Sequence, residues 1–229
     1  MNSQSHPSRN GFTLVELLVV MTIISILLAL GAAGIRNVGT GGVSTAVAQA
    51  EAFFNEARAV AVGSGRPSRV LIDIDDADSD TYLRRLVIAA QATDQDGLPI
   101  PGQWELSGGV LLLPSSVYFS QQFSRKDHQG GTGSIDQMQL TGVSQNFLGT
   151  YGYYEFNSEG ICSSGVAADG SYTAPGFVLG RGVRDPGGEP RTTGDGRRDF
   201  GGFVIWRNGS TSVFRDPGQI LGNTDPTEF

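Results

Sequence analysis

The sequence predicts an α+β protein, in which a long N-terminal helix packs against an antiparallel β-sheet head. The first observation is an apolar run over residues 12–35. The second is a stripe of apolar residues at helical spacing between Val43 and Ala61. The third is a series of β-rich runs that begins at Ser68. A helix followed by consecutive strands is typical of an α+β fold.

The composition limits the classes of protein that fit. The net charge of −7 argues against a general attraction to nucleic acid or to acidic lipid. The 33 glycines indicate many turns and short strands. Cys162 is the only cysteine, so no disulfide can form within the chain, and we interpret it as a small buried apolar residue.

The apolar run over residues 12–35 contains 24 residues and a single charge, Glu16. As a helix it would be ~36 Å long, which exceeds the ~30 Å of a bilayer core. A cleaved secretory signal is the alternative, but its apolar stretch has only about 7–15 residues. A signal-type cut after Ala29 or Ala33 would also remove the run. We therefore predict a transmembrane helix over residues 12–35.

Glu16 needs an explanation, because a carboxylate inside a bilayer costs on the order of a few kcal/mol. Its position near the end of the span, within reach of the lipid headgroups, is the simpler explanation. A partner is the alternative: a cut after Gly11 would give Phe12 a cationic amine. The Glu16 carboxylate of one subunit could then pair with the amine of its neighbour and fix the register of packed helices.

The stretch GFTLVELLVVMTIISILLAL resembles the type IV prepilin signature, a polar leader ending in glycine followed by an apolar run. The matching positions are Gly11, Phe12, Thr13, Leu14, Glu16 and Leu17. The resemblance implies that a prepilin peptidase removes a leader of residues 1–11, cutting between Gly11 and Phe12. It also implies N-methylation of Phe12, an assembly role for Glu16, and a leader that stays in the cytoplasm.

Residues 36–65 are predicted to form an amphipathic helical segment. Its apolar residues recur at steps of three and four: Val43, Val47, Ala50, Phe54, Ala57 and Ala61. This stripe is expected to pack under the sheet of the head. Gly63 and Gly65 end the helix, and Pro67 prevents it from resuming. A glycine cluster at 39–42 departs from the single long helix that the resemblance implies.

Residues 66–229 are predicted to form a β-rich head. The predicted strands are SRVLIDID, TYLRRLVIAAQ, GGVLLLPSSVYF, GYYEFNSEG, GFVLGRG and FGGFVIWRNGSTSVFR, the last with a tight turn at Asn208-Gly209. Two long loops are expected, Ser120–Gly149 and Gly182–Gly202. The order of these pieces resembles the GspH/FimT branch of the pilin-like proteins, so we expect a type IV pilin-like α+β fold.

No catalytic residue and no cofactor are predicted, because the chain has no nucleophile elbow, histidine pair or CxxC motif. Asp76, Asp78 and Asp80 alternate as in the first part of an EF-hand loop. Thr81 and Val87 stand where that loop needs glycine and glutamate. We therefore predict a solvated turn and no metal, with some other cation site as the alternative.

Two segments of opposite charge are candidate contact surfaces. Residues 181–215 contain seven arginines against four acidic residues, a net charge of +3. Arg191, Arg197 and Arg198 cluster there and are candidates for contact with DNA or a partner, although a solvated loop is the simpler interpretation. Residues 71–96 carry a net charge of −5. If the two segments lie on opposite sides of the head, subunits could stack head to tail.

The resemblance implies a structural subunit and not an enzyme. We predict a minor pseudopilin of a type II secretion pseudopilus, which assists protein export across the outer membrane. A minor type IV pilin for adhesion, motility or DNA uptake is the alternative. The expected location is the bacterial inner membrane, with one span and a periplasmic head. The expected partners are other pseudopilins or pilins, the prepilin peptidase, the inner-membrane assembly platform and the lipid bilayer, with DNA as a weaker candidate.

Overall fold

The computed structural model describes the head almost completely. The described residues are 21, 42–166, 170–185, 188–192 and 200–214. The chain divides into two compact units, residues 1–40 and 41–229. The predicted leader and transmembrane helix lie outside the described residues, apart from the helical residue Met21. None of the helices in the described part of the chain has the length and apolar character needed to cross a bilayer.

One α-helix, α1, runs through the head from Val43 to Ser64. It begins after Gly42, which is extended, with φ −62° and ψ 171°. It ends at Gly65, whose φ of 66° lies in the left-handed region that glycine adopts readily. The predicted end of the helix is thus confirmed. The structure describes the predicted segment 36–65 only from residue 42 onward, and in that part the helix occupies Val43–Ser64.

Eleven strands follow α1 in the described residues. They are β1 Ser68–Asp73, β2 Arg85–Thr93, β3 Pro99–Leu112, β4 Val117–Phe119, β5 Arg125–Asp127, β6 Thr132–Ser134, β7 Asp136–Leu140, β8 Gly149–Phe156, β9 Gly176–Arg181, β10 Phe200–Ile205 and β11 Thr211–Phe214. The first sheet has the order β3-β2-β1-β8-β7, and the second has the order β11-β10-β9-β4. Strands β5 and β6 form a separate pair. All pairings are antiparallel.

Two predicted strands have different limits in the structure. The predicted strand at residues 81–91 starts only at Arg85, because the four residues before it form a turn that includes Leu83 at φ 55°. The stretch GGVLLLPSSVYF is divided between the two sheets, since Pro114 lacks the N–H that would continue β3. The predicted turn at Asn208-Gly209 is confirmed, and Gly209 has φ 77°.

The prediction that Ser120–Gly149 is one long loop is wrong. It contains β5, β6, β7 and a short 3₁₀ turn at Gln145–Phe147. These strands have three to five residues and mostly polar side chains, so they lack the apolar alternation by which strands are detected in a sequence. Part of the second predicted loop, residues 186–187 and 193–199, lies outside the described residues.

The main core lies between α1 and both sheets. All six residues of the predicted stripe of α1 are buried, which confirms its packing under the head. Phe54 is at the centre, with its ring centroid 5.2 Å from that of Tyr154 and 5.0 Å from those of Phe177 and Phe203. The Tyr154 hydroxyl donates a hydrogen bond to the Gly176 carbonyl at 2.7 Å. This bond joins the first sheet to the second.

A smaller apolar cluster covers the outer face of the first sheet. Its buried members are Leu71, Val87, Ala89, Trp104, Leu140 and Tyr151. At one end, the Arg69 guanidinium lies between the rings of Trp104 and Tyr153, 3.8 Å from each ring centroid. Arg69 also pairs with Glu155 at 2.7 Å. The first sheet is therefore packed on both faces, which fixes the position of its strands.

Candidate functional surfaces of the head

The predicted processing and assembly residues, Gly11, Phe12 and Glu16, lie outside the described residues, as do Arg197 and Arg198. The structure places the two charged segments, namely the acidic turn after β1 and the described part of the basic segment, and it adds the exposed face of α1, which was not predicted as a surface. The acidic turn follows β1 and the basic segment begins at the end of β9, so the relative positions of these two surfaces depend on the sheet topology.

The charged residues of α1 all bond to neighbouring parts of the head. Glu51 accepts a hydrogen bond from the Thr211 hydroxyl at 2.5 Å. Glu56 accepts one from the backbone N–H of Gly109 at 3.1 Å. Arg58 donates from Nε to the Gly160 carbonyl at 3.1 Å. These are all the charged residues of α1, so the three bonds hold its charges at the flanks of the helix.

The face of α1 opposite the core consists of small, uncharged residues. Six of its exposed positions recur at steps of three and four, and the exposed Gln49 and Glu56 border them: Thr45, Ala48, Ala52, Asn55, Ala59 and Val62. This spacing is that of a helix seam. Solvated helix faces usually carry charged side chains, whereas small residues allow a second backbone to approach closely. The composition of this face therefore fits contact with another polypeptide better than contact with water.

The acidic turn after β1 is held by bonds within the head. The buried Asp73 pairs with Arg85 at 2.8 Å and accepts a bond from the Thr81 hydroxyl at 2.6 Å. Asp75 accepts a bond from the Thr150 N–H at 2.9 Å. The remaining carboxylates are exposed, as predicted for a solvated turn. The described residues contain no group of three or more histidine, cysteine or acidic side chains that could hold a metal ion.

The start of the basic segment lies directly against the acidic turn. Arg184 donates hydrogen bonds from Nη1 to the carbonyls of Ala77, at 3.0 Å, and of Ser79, and its Nη2 lies 3.3 Å from Asp80 Oδ1. These carbonyls belong to the turn itself, so Arg184 joins two segments that are more than 100 residues apart. Hydrogen bonds to a charged group typically contribute about 1.5–3 kcal/mol.

A second contact reinforces this junction. The Tyr82 hydroxyl donates a hydrogen bond to Glu189 at 3.0 Å. Burial of the phenol, together with its bond to the Glu189 carboxylate, raises the pKa of Tyr82 to about 12. The phenol therefore remains a donor at any physiological pH. Backbone bonds between Val183 and Arg191 close the segment into a small loop, which rests on the acidic turn.

These contacts bear on the predicted head-to-tail stacking. Arg184 brings the basic segment to the acidic turn of the same head, so the two segments are not on opposite sides at this point. The acidic residues of the segment 71–96 also do not form one continuous surface patch. Asp94 and Asp96 lie beyond β2, whose nine residues span about 30 Å, so they are at the other end of the sheet from Asp76. At the described residues around Arg184, the condition for the stacking model is therefore not met, and Arg197 and Arg198 lie outside the described residues.

Arg191 is the described member of the predicted arginine cluster. It is exposed and pairs with the exposed Asp185 at 2.7 Å. Exposed ion pairs contribute only about 0.2–1 kcal/mol, so this pair leaves the guanidinium accessible to solvent. Of the described arginines of the basic segment, Arg184 is thus bonded to the turn and Arg191 is at the surface.

Cys162 and His128 are both buried inside the head. Cys162 is fully buried, as predicted, and burial raises the pKa of its thiol, which keeps it in the unreactive protonated form. The His128 ring stacks on the Phe214 ring with 5.0 Å between centroids. No local pattern in the sequence indicates this packing, because the two residues are far apart in the chain.

Comparison with known proteins gives information about the N-terminal part of the chain. Residues 6–32 match a family model described as the prokaryotic N-terminal methylation motif. No curated protein matches the chain. Among solved structures, the chain is similar to the minor pseudopilin EpsH from the type 2 secretion system of Vibrio cholerae. The identity is 15% and the TM-score 0.38, over 79% of this chain and 99% of that chain.

The match shows that residues 6–32 carry a prepilin-type methylation motif. This motif agrees with the resemblance to the type IV prepilin signature that the sequence shows at the same positions. The similarity to EpsH is too low in identity and TM-score to define the fold or the function further.

Proposed function

We propose that this chain is a minor pseudopilin of a type II secretion pseudopilus. The observation that carries the proposal is the methylation motif over residues 6–32, which contains Gly11, Phe12 and Glu16. In the proposal, prepilin peptidase removes residues 1–11 and Phe12 becomes the methylated first residue. Residues 12–35 then span the inner membrane, and the head of residues 66–229 lies in the periplasm.

The outer face of α1 supports a role as a filament subunit. A subunit acts by contacts with its neighbours, and α1 presents small residues to the outside while its three charges are bonded at its flanks. At ~1.5 Å per residue, the 22 residues of α1 form a face about 33 Å long. In the proposal, a helix of the neighbouring subunit packs on this face, and Glu16 pairs with that subunit's methylated amine.

The proposal predicts that Ala52→Arg prevents incorporation into the filament. Ala52 is exposed at the middle of the small-residue face, so arginine would hold a neighbouring helix away without disturbing the core. We expect at least about tenfold less of the variant in sheared filament fractions, which corresponds to about 1.4 kcal/mol of lost contact energy. The measurement is a quantitative immunoblot of the sheared and membrane fractions.

Leu98→Arg is the matched control. Leu98 is exposed in the turn between β2 and β3, away from α1, and its variant should be incorporated at the wild-type level. Both variants should retain the thermal midpoint of the wild-type head, because neither side chain is buried. Incorporation of Ala52→Arg at the wild-type level would contradict the assigned role of the α1 face.

A further inference from the structure

Gly152 lies in the interior of β8, a position where glycine weakens a strand. Such a glycine usually marks a bulge, a left-handed bend, or the close approach of a ligand or another backbone. The φ of Gly152 is not positive, and the register of β8 with β1 and with β7 continues through it without a shift. Among the described residues, no atom beyond its chain neighbours lies within 4 Å of where its Cβ would be. Of these explanations, the approach of a ligand remains.

The open space beside Gly152 belongs to a pocket of about 120 Å³ between the two sheets. Tyr154, two residues further along β8, belongs to the main core, so Gly152 faces the same side of the first sheet. Phe119 on β4 lines the pocket from the second sheet. Ser134 and Gln137 line its mouth and are exposed, so the pocket opens at the surface. Because β7 and β4 are the end strands of their sheets, the pocket lies where the margins of the two sheets meet.

The lining of the pocket combines an apolar floor with a polar rim, and none of the described residues that line it carries a charge. Amide and hydroxyl side chains can both donate and accept hydrogen bonds, which matches the N–H and C=O groups of a peptide. A charged group in the pocket would lose hydration without gaining a partner. An aliphatic side chain flanked by amides therefore fits both parts of the lining. The floor is formed by Ile74, Phe119 and Ile135, and the rim by Gln121, Ser134 and Gln137.

The volume of the pocket limits its occupant to one side chain. An apolar cavity of about 150 Å³ holds one benzene molecule, so the slightly smaller pocket here fits a branched aliphatic group. We propose that the pocket beside Gly152 receives one aliphatic side chain, of the size of valine or leucine, from an uncharged peptide segment of a partner protein. The inference goes beyond the proposed function and does not rest on it.

Binding of N-acetyl-leucine N-methylamide to the head, residues 41–229, tests the proposal. This unit contains every residue of the described core clusters, so it can be studied without the N-terminal segment. The probe carries one aliphatic side chain between two amides. In an NMR titration we expect a dissociation constant of about 1 mM, which is typical of a ligand of this size. The shifted signals should be concentrated at the backbone amides of Gly152, Gln137 and Phe119.

Free leucine distinguishes a peptide from a single amino acid as the source of the side chain. It has the same side chain as the probe, but an ammonium and a carboxylate replace the two amides. Because the described lining offers no charged partner for either group, free leucine should bind at least ~10-fold more weakly than the probe.

Gly152→Val is the variant that fills the pocket from within. It should lower the affinity for the probe more than ~10-fold, because its side chain would enter the space that the leucine side chain needs. The thermal midpoint of the head should stay at or above that of the wild type, since valine favours strands and restricts the unfolded chain. Gly63→Val is the matched control. Gly63 is exposed near the end of α1 and also has open space at its Cβ position, so this variant should bind the probe like the wild type.

Gln137→Ala tests the rim without filling the pocket. Gln137 is exposed, so its truncation leaves the core unchanged, and the loss of one hydrogen bond should weaken probe binding about 2–10-fold. A wild-type head whose signals do not shift well above the expected dissociation constant would overturn the proposal. Equal binding of the probe by the wild type and Gly152→Val would place the probe elsewhere and would also overturn it. Equal binding of free leucine and the probe would overturn the assignment to a peptide.

Discussion

Phe54→Ala is expected to lower the free energy of unfolding of the head by about 3–5 kcal/mol. Phe54 is fully buried, and its ring meets the rings of Tyr154, Phe156, Phe177 and Phe203 edge-on. These aromatic residues come from both sheets, so truncation would leave a cavity at the place where α1 holds the sheets together. Urea denaturation of residues 41–229 measures the change.

Val62→Ala on the same helix is the control for this effect. Val62 is more than half exposed, so its truncation removes little buried surface and should change the stability by no more than about 0.5 kcal/mol. The difference between the two variants separates core packing from helix propensity, because both place alanine in α1. A loss of less than about 1 kcal/mol for Phe54→Ala would mean that α1 is not the centre of the core.

Glu16→Ala is expected to lower incorporation into the filament by about tenfold or more, while cleavage and membrane insertion continue. Polar contacts between membrane helices contribute about 1–2 kcal/mol, and about 1.4 kcal/mol corresponds to a tenfold change. Removal of the carboxylate should ease insertion slightly, because a charge no longer has to enter the bilayer. Quantification of the variant in sheared filaments and in membranes measures both effects.

Thr22→Ala serves as the control, because it removes a polar group from the same apolar run without removing a charge. It should be incorporated like the wild type. If Glu16→Ala is also incorporated like the wild type, Glu16 does not pair with a neighbouring amine. Its position would then reflect only its distance from the lipid headgroups.

The elements that could be predicted from the sequence are those with a local pattern. The buried stripe of α1 follows from the spacing of its apolar residues, and the end of the helix follows from Gly65. The turn at Asn208-Gly209 follows from its residue types. The prepilin-type N-terminus depends on a few positions close together in the chain, so it could be recognised directly from the sequence.

The elements that could not be predicted depend on contacts between distant residues. Arg184 reaches the acidic turn across more than 100 residues, and nothing near Arg184 in the sequence indicates its partner. This contact is the reason that the two charged segments meet, contrary to the stacking model. The division of one apolar run into β3 and β4 depends on two sheets that are assembled by later strands.

The central claim is that the chain is a processed pilin-like subunit, and the mass of its mature N-terminal peptide tests this most directly. The protein is purified from membranes of its host, digested, and its N-terminal peptide is sequenced by tandem mass spectrometry. The account predicts a peptide that begins at Phe12 and carries one methyl group on its amine. A peptide that begins at Met1, or one that begins after Ala29 or Ala33, would contradict the account.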